Sequence, residues 1–223
     1  MNEQYTYIHI PRTGGSFFIK NINNNNITNV RTLSHAESRN FLKKNINQNI
    51  IFSFRDPFIH KISCMENFKY DDRVKDYYNK TNKFKYSKDE YFFEPYHYFK
   101  TIDEWLDNLL DKNKKNHKKA YEYWNKIINF DYHMLIWDYE SFFIDINHLK
   151  QQKNVFAINL DNIHNDIANT LNQITDKDIK VDISTSETNR DYLYYINKYE
   201  DKYKQMFPKE YDLYDYFLTI NKN

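Results

Sequence analysis

The chain has 223 residues, of which 40% are hydrophobic and 18% aromatic, enough to bury the core of one large domain. Lys and Arg total 32 against 31 Asp and Glu, and the formal net charge of +1 gives no global field that would attract nucleic acid or an anionic membrane. The single cysteine excludes an internal disulfide and a cysteine-based zinc cluster. No apolar run approaches the roughly 18 residues of a membrane span, and the N-terminus has no secretory pattern, so we expect a soluble cytoplasmic protein.

The first 68 residues alternate between strand and helix patterns. Short runs rich in β-branched and aromatic residues predict strands at Tyr5–Ile10, Asn29–Leu33 and Asn49–Phe54. Helices are predicted from Ser16 to the Asn23–Asn26 run, at Ala36–Lys44 behind a Ser34 or His35 cap, and from Pro57 to about Phe68. The alternation is typical of a parallel sheet flanked by helices, in which ligands bind at the carboxyl ends of strands.

Beyond residue 68 the pattern is less regular. The polar stretch Tyr70–Lys88 predicts an excursion over the surface. Further strands are predicted at Phe130–Trp137 and Asn154–Leu160, and further helices at Thr101–Leu110, His117–Ile128, Ile163–Ile174 and Ser186–Met206. Because no repeat and no clear linker interrupts the chain, we predict a single domain.

Both glycines of the chain stand together, in His9-Ile-Pro-Arg-Thr-Gly-Gly-Ser16, between the first strand and the first helix. Backbone N–H groups at a helix N-terminus bind anions, and glycine leaves no Cβ atom in the way of a phosphate oxygen. Neither a Walker A motif nor the Gly-x-Gly-x-x-Gly fingerprint is present, which counts against ATPases, kinases and Rossmann enzymes. An ordinary Gly-Gly turn is the alternative, but the scarcity of glycine elsewhere favours a ligand.

A second candidate anion site follows the third strand, in Arg55-Asp-Pro-Phe-Ile-His-Lys-Ile-Ser63. An arginine fork and a hydroxyl at the start of a helix can hold a second phosphate. Alternatively, Arg-Asp-Pro is a turn and Ser63 a helix surface residue. The stretch gains significance from its position one βα unit after the glycine loop.

Together the two stretches resemble the sulfotransferases that use 3′-phosphoadenosine 5′-phosphosulfate (PAPS), in particular the group related to the Golgi carbohydrate sulfotransferases. There the first loop typically reads His-Ile-Pro-Lys-Thr-Gly-Gly-Thr and cradles the 5′-phosphosulfate, and the second reads Arg-[Asp/Asn]-Pro-x-x-Arg-x-x-Ser and binds the 3′-phosphate. In this chain Arg12 replaces the loop lysine, and His60 stands where the second arginine is usual. The resemblance is specific over residues 7 to 68 and implies an α/β, three-layer P-loop-NTPase-like fold with a mostly parallel sheet.

The resemblance implies transfer of a sulfuryl group from PAPS to an acceptor hydroxyl, expected to belong to a carbohydrate, with PAP as product and no metal. PAPS would be bound in a core at about 5–68, with acceptor-side helices at about 69–150 and closing elements at about 151–223. Arg12 and His35 are the candidate catalytic residues, Arg12 beside the leaving phosphate and His35 as the base, because imidazole titrates near neutrality. A surface or helix-capping role is the alternative for His35, and His9 is expected to anchor the loop. The candidate PAPS-binding residues are Arg12, Thr13, Gly14, Gly15, Ser16, Phe17, Arg55 and Ser63.

Two other function classes remain open on the sequence. A phosphoryl-transfer protein of the broader P-loop type would bind ATP or GTP with Mg²⁺, although the loop lysine and a Walker B pattern are missing. An inactive sulfotransferase-like binding module would hold a glycan or a protein without turnover. The basic run Lys112–Lys119 could meet an anionic glycan acceptor, or could simply be a solvated loop and helix start.

Overall fold

A computed structural model describes residues 3–69, 98–128, 138–181 and 192–220. The predicted excursion at Tyr70–Lys88, the predicted strand at Phe130–Trp137 and the first residues of the predicted helix from Ser186 lie outside the described residues. The described residues form two compact units. The first contains 3–57, 138–181 and 208–220, and the second contains 58–69, 98–128 and 192–207.

Strands and helices alternate through the first part of the chain, as the sequence predicts. In chain order the elements are β1 (Tyr5–Ile8), α1 (Gly15–Asn24), β2 (Val30–Thr32), α2 (His35–Lys44), β3 (Asn49–Phe54), α3 (Pro57–Lys69), α4 (Ile102–Leu109), α5 (His117–Ile128), α6 (Tyr139–Phe143), α7 (Ile146–Lys150), β4 (Asn154–Asn159), a 3₁₀ turn (Leu160–Asn162), α8 (Ile163–Thr175), α9 (Leu193–Met206) and α10 (Pro208–Ile220).

The first unit is built on a parallel sheet of four strands in the order β2-β1-β3-β4. Ile8 of β1 pairs with Phe52 of β3, and Phe54 of β3 pairs with Asn159 of β4. Because all four strands run the same way, their carboxyl ends lie along one edge of the sheet. The predicted α/β class is confirmed, and the parallel sheet with its flanking helices agrees with a three-layer P-loop-like fold.

Successive strand residues point to opposite faces of the sheet and so contribute to two separate cores, one on each face. On one face, Tyr7 and Ile51 pack with Phe18 of α1 and with Ile167 and Leu171 of α8. On the other face, Phe52 and Phe54 form edge-on or tilted ring contacts with an aromatic cluster whose centre is Phe217 of α10, and whose other members are Tyr139 and Phe143 of α6. The sheet is therefore covered by helices on both faces.

Local sequence explains where several helices begin. The Ser34 hydroxyl accepts the Glu37 N–H while the Glu37 carboxylate accepts the Ser34 N–H, a capping box that starts α2 and selects Ser34 of the two predicted caps. The terminal helix predicted at Ser186–Met206 is confirmed from Leu193 to Met206, with Tyr192 as its N-cap, but it is not the last helix, because α10 follows it. Phe207 ends α9, and Pro208 opens α10 because proline fits the first helical position.

The second unit is helical in its described residues. Trp105 of α4 and Trp124 of α5 are buried and meet edge to face, with ring centroids 6.1 Å apart. Tyr203 of α9 packs edge to face on Trp124. The Lys198 ammonium lies 2.8 Å from an Asp103 carboxylate oxygen, an exposed ion pair that ties α9 to α4. Among the described residues no helix has the length and apolarity required to cross a membrane.

Phe217 offers a test of the aromatic core. Phe217→Ala is expected to lower the free energy of unfolding by about 3–5 kcal/mol, because it removes a fully buried ring from the cluster that attaches α10 to the sheet. Asp215→Ala, at an exposed position of the same helix, should change it by less than about 0.5 kcal/mol. Urea titration measures both; a Phe217 effect no larger than that of the control would contradict this description of the core.

Candidate functional site

The glycine loop lies at the carboxyl edge of the sheet, between β1 and α1. β1 and β3 are neighbours in the sheet, so the loop that follows β1 and the Arg55 residue that follows β3 leave the same edge side by side. The sequence predicted two candidate anion-binding stretches in separate βα units, and the strand order brings the beginning of both to adjacent positions.

The backbone of the loop is tightly turned. Arg12 and Gly14 both have left-handed backbone conformations, with φ angles of 61° and 86°. Between them, Thr13 is fully buried, and its hydroxyl donates to the Ile10 carbonyl at 2.9 Å. This hydrogen bond stabilises the turn on its buried side. The Arg12 side chain is exposed at the surface of the loop.

The space that a side chain would need at either glycine is occupied by other residues of the protein. A Cβ atom on Gly14 would lie 2.5 Å from Ile163 Cδ1 and 2.8 Å from Leu160 Cδ1, and one on Gly15 would meet the imidazole of His9. We expected the glycines to clear space for a phosphate oxygen. The structure shows instead that they let the start of α1 approach β1, the 3₁₀ turn and α8 closely.

Backbone N–H groups at the start of α1 are candidate donors to an anion. Phe17 and Phe18 donate their N–H groups to the Gly14 carbonyl, at 3.0 and 3.1 Å. The N–H groups of Gly15 and Ser16 precede these and, by helix geometry, have no carbonyl partner within α1. No acidic residue stands in the first turn, so the positive end of the helix dipole is not compensated by its own side chains.

His9 links the glycine loop to α2. Its backbone N–H donates to the Ser38 hydroxyl at 2.8 Å, and its carbonyl accepts from His35 Nδ1 at 2.8 Å. Its ring covers Gly15 and lies 4.0 Å from the His35 ring, centroid to centroid. His9 thus contacts Ser38, His35 and Gly15 through its backbone and its ring, in agreement with an anchoring role.

The hydrogen bond of His35 decides which of its nitrogens can act as a base. A carbonyl oxygen only accepts, so the neutral ring carries its proton on Nδ1 and its lone pair on Nε2. His35 is also the first residue of α2, held there by the capping box. The predicted base and the glycine loop are therefore brought together, with His9 between them.

Burial and the neighbouring ring both act on His9. Burial, followed by the charge of His35, lowers the pKa of His9 to about 4. At neutral pH the His9 ring is therefore uncharged.

Arg55 is held by its backbone at the end of β3. The Tyr139 hydroxyl accepts the Arg55 N–H at 3.0 Å and donates to the Arg55 carbonyl at 2.6 Å. Tyr139 is fully buried, and burial raises its pKa well above the usual value, so the hydroxyl keeps its proton. The Tyr139 N–H in turn donates to the Glu210 carboxylate at 3.2 Å.

Ser63, the other predicted ligand of the second phosphate, is on α3 in the second unit. Its side chain is buried, at 3% exposure, and so are those of His60 and Lys61 on the same helix. The alternative of an exposed helix surface residue is therefore wrong for Ser63. His60, which stands at the position of the family's second arginine, is fully buried.

Several residues that organise the site were not predicted. The Ser38 hydroxyl accepts a hydrogen bond from the His9 N–H, and the Tyr139 hydroxyl bonds to the Arg55 backbone. Leu160 and Ile163 pack on Gly14. Each lies far along the chain from the motif that it supports, and none belongs to a short recognisable pattern. Only the position of Leu160 and Ile163 just after a predicted strand could have drawn attention to them.

Comparison of the chain with protein-family models, with curated proteins and with solved structures finds no match in any of the three. Within the described residues, no group of three or more His, Cys, Asp or Glu side chains is arranged to hold a metal ion. The functional interpretation therefore depends on the two motifs and on the geometry described above.

A double-mutant cycle tests the contact between Gly15 and His9. Gly15→Ala should lower the free energy of unfolding by about 1–3 kcal/mol, because the new methyl group meets a ring that His35 holds in place. In a His9→Ala background the same change should cost at least about 0.5 kcal/mol less. Equal costs in both backgrounds, measured by urea unfolding, would show that the glycine does not serve this contact.

The lowered pKa of His9 predicts a pH-dependent stability. The unfolded chain binds a proton to His9 near pH 6.5, whereas the folded chain does so only near pH 4, so this residue makes folding less favourable as the pH falls through that interval. His9→Phe should reduce the loss of unfolding free energy between pH 7 and pH 4.5. His148→Phe, which removes another histidine whose Nδ1 faces a backbone carbonyl, serves as the control. An unchanged pH dependence in His9→Phe would contradict the burial of a neutral ring.

Proposed function

We propose that the protein is a PAPS-dependent sulfotransferase that transfers a sulfuryl group to an acceptor hydroxyl, with a carbohydrate as the acceptor. The observation that carries the proposal is the placement of the glycine loop and Arg55 at neighbouring strand ends, with the Nδ1-protonated His35 joined to the loop through His9. Candidate anion-binding groups and a candidate base thus belong to one edge of the sheet. The motif resemblance supplies the identity of the donor.

The residues present fit the 5′-phosphosulfate end of PAPS. The N–H groups of Gly15 and Ser16, at an uncompensated helix N-terminus, are suited to phosphate oxygens. Arg12 is exposed beside them and Ser16 adds an exposed hydroxyl. For the 3′-phosphate the first unit contributes Arg55.

PAPS supplies an activated sulfuryl group whose bond to the 5′-phosphate breaks as the acceptor oxygen bonds to sulfur. The chain must then stabilise the leaving phosphate and take one proton. Arg12 and the first-turn N–H groups would bind the phosphate as negative charge builds on it. His35 Nε2 would accept the hydroxyl proton, because the bond from Nδ1 to the His9 carbonyl holds the ring in the required tautomer. Electrons and proton balance without an external reagent.

The two alternatives lead to different observations. A phosphoryl-transfer protein of the P-loop type would bind ATP or GTP only with Mg²⁺, but the glycine loop carries Arg12 and no Walker lysine. An inactive binding module would bind PAP weakly, or would transfer no sulfate from PAPS to any acceptor. The coupled placement of His35 favours turnover, since binding alone does not require a base at this position.

PAP binding should raise the melting temperature of the protein in the absence of Mg²⁺, because PAP binds the folded state alone. Arg55→Ala is expected to reduce that shift most, since Arg55 is the proposed ligand of the 3′-phosphate. Arg31→Ala, an exposed arginine on β2, is the matched control and should keep the full shift. Thermal unfolding with PAP at millimolar concentration measures all three proteins.

No shift with PAP, or a shift with ATP that requires Mg²⁺, would contradict the proposal. Transfer of labelled sulfate from PAPS to a mixture of glycans and metabolites then tests turnover. His35→Asn should lose about 10²–10⁴-fold in transfer while retaining PAP binding. Equal transfer by His35→Asn would remove His35 from the proposed mechanism.

A further inference from the structure

The histidine pair at the glycine loop suggests a link between anion binding and proton uptake. His9 and His35 lie on different elements, yet their rings are 4.0 Å apart and His35 Nδ1 donates to the His9 carbonyl. The His9 ring also lies directly against Gly15, the first residue of α1. A charge on this pair is therefore close to the helix N-terminus at which an anion is proposed to bind.

Electrostatics opposes a cation here until an anion arrives. The N-terminus of α1 carries the positive end of the helix dipole, with no acidic side chain in its first turn, and Arg12 is exposed nearby. An imidazolium adds a further positive charge beside both. A bound phosphate or phosphosulfate reverses the sign of the local field, and so favours the protonated histidine.

The two histidines are not equivalent sites for the proton. His9 lies between Gly15 and the His35 ring, and burial favours its neutral form. His35 is half-buried at the first position of α2 and already donates from Nδ1, so its Nε2 can gain a proton without loss of that hydrogen bond. Of the two rings, His35 is therefore the better placed to take up an additional proton.

In the described part of the chain, several other titratable groups lie on the elements around the pair. From β1, Tyr7 shares a hydrogen bond with Ser53 and stays neutral, because burial raises its pKa. α1 contributes no titratable side chain in its first turn. Among the described residues, α2 also carries Glu37, which is bonded to Ser34, and the cations Arg39, Lys43 and Lys44. On α6, which packs against α2, the groups are the neutral Tyr139 and Glu140, which faces Lys209 at 3.6 Å.

We infer that the glycine loop and the His9–His35 pair form a proton-linked anion site, in which binding of a phosphorylated nucleotide at the loop is coupled to uptake of one proton by His35. His9 is the positioning residue that holds His35 against the loop and does not itself take the proton. The inference rests on the proposed function in taking PAP as the anion. By reciprocity, the factor by which PAP raises the proton affinity of His35 equals the factor by which the proton raises the affinity for PAP.

The link has a consequence for turnover. When His35 accepts the proton of the acceptor hydroxyl, it becomes a cation beside the newly formed 5′-phosphate. The proton then stabilises bound PAP, and its loss to solvent weakens PAP binding. Product release is therefore expected to quicken, and inhibition by PAP to weaken, as the pH rises through the pKa of His35.

Histidine ring NMR tests the link without any assay of transfer. The chain has 8 histidines, and the resonances of His9 and His35 are assigned from the His9→Phe and His35→Asn variants. Saturating PAP should raise the pKa of His35 by about one unit, equivalent to about tenfold tighter PAP binding by the protonated form. His9 should titrate below pH 5 with and without PAP. His148, whose Nδ1 also faces a backbone carbonyl, should not respond to PAP and serves as the internal control.

Because the phosphate of PAP also titrates near pH 6, the pH dependence of its affinity is compared between wild type and His35→Asn. The wild type should show the larger gain in affinity from pH 8 to pH 6, by several-fold. If PAP binds while the pKa of His35 stays constant, or if His9 takes the proton near neutrality, the link is wrong and the proposed function is unaffected. If PAP does not bind at any pH, both are overturned.

Discussion

The carboxyl edge of the sheet depends on how closely the start of α1 approaches its neighbours. That approach is possible because residues 14 and 15 have no side chains: the space beside Gly14 is filled by Leu160 and Ile163, and the space beside Gly15 by His9. Gly14 also adopts a left-handed conformation that disfavours other residues. With side chains at these positions, the helix N-terminus could not lie against both β1 and the turn that follows β4.

From this contact the rest of the site follows in sequence. His9, held against Gly15, presents its carbonyl to His35 and its N–H to Ser38, and thereby fixes the start of α2 relative to the loop. On the neighbouring strand, the buried Tyr139 hydroxyl fixes the backbone of Arg55 in the same way, through both its N–H and its carbonyl. In both cases a group remote in sequence positions a candidate functional residue through its backbone contacts. Such preorganisation is what an anion-binding and proton-transferring site requires.

Much of the fold could be predicted because local patterns and tertiary packing agree. The run Asn49–Phe54 forms β3 over the predicted residues, since it is buried on both faces and ends at Asp56-Pro57. The helices Tyr139–Phe143 and Ile146–Lys150 were not predicted, because elements of five residues are too short for a helical period to show. The end of α9 at Met206 was predicted, but the helix Pro208–Ile220 that follows it was not.

For the candidate site, sequence reasoning named candidate residues but did not predict the packing around them. It located the glycine loop, Arg55 and His35, and the parallel order of β1 and β3 places the first two side by side. It predicted that the glycines make room for a ligand. In the structure, a Cβ atom at either position would instead point at His9, or at Leu160 and Ile163. Which way a Cβ atom points, and which distant residue meets it, depends on long-range packing that a local motif does not encode. The same holds for Tyr139, whose contact with Arg55 spans 84 positions of the chain.

The central claim is that the N–H groups of this loop bind the phosphate of PAP. Because the chain has only 2 glycines, which are adjacent, selective ¹⁵N labelling of glycine yields a spectrum of two backbone amides, both in the loop. We predict that the Gly15 amide moves most on titration with PAP, that Gly14 follows it, and that Arg55→Ala weakens the response. Two glycine resonances that stay in place while saturating PAP is added would contradict the account.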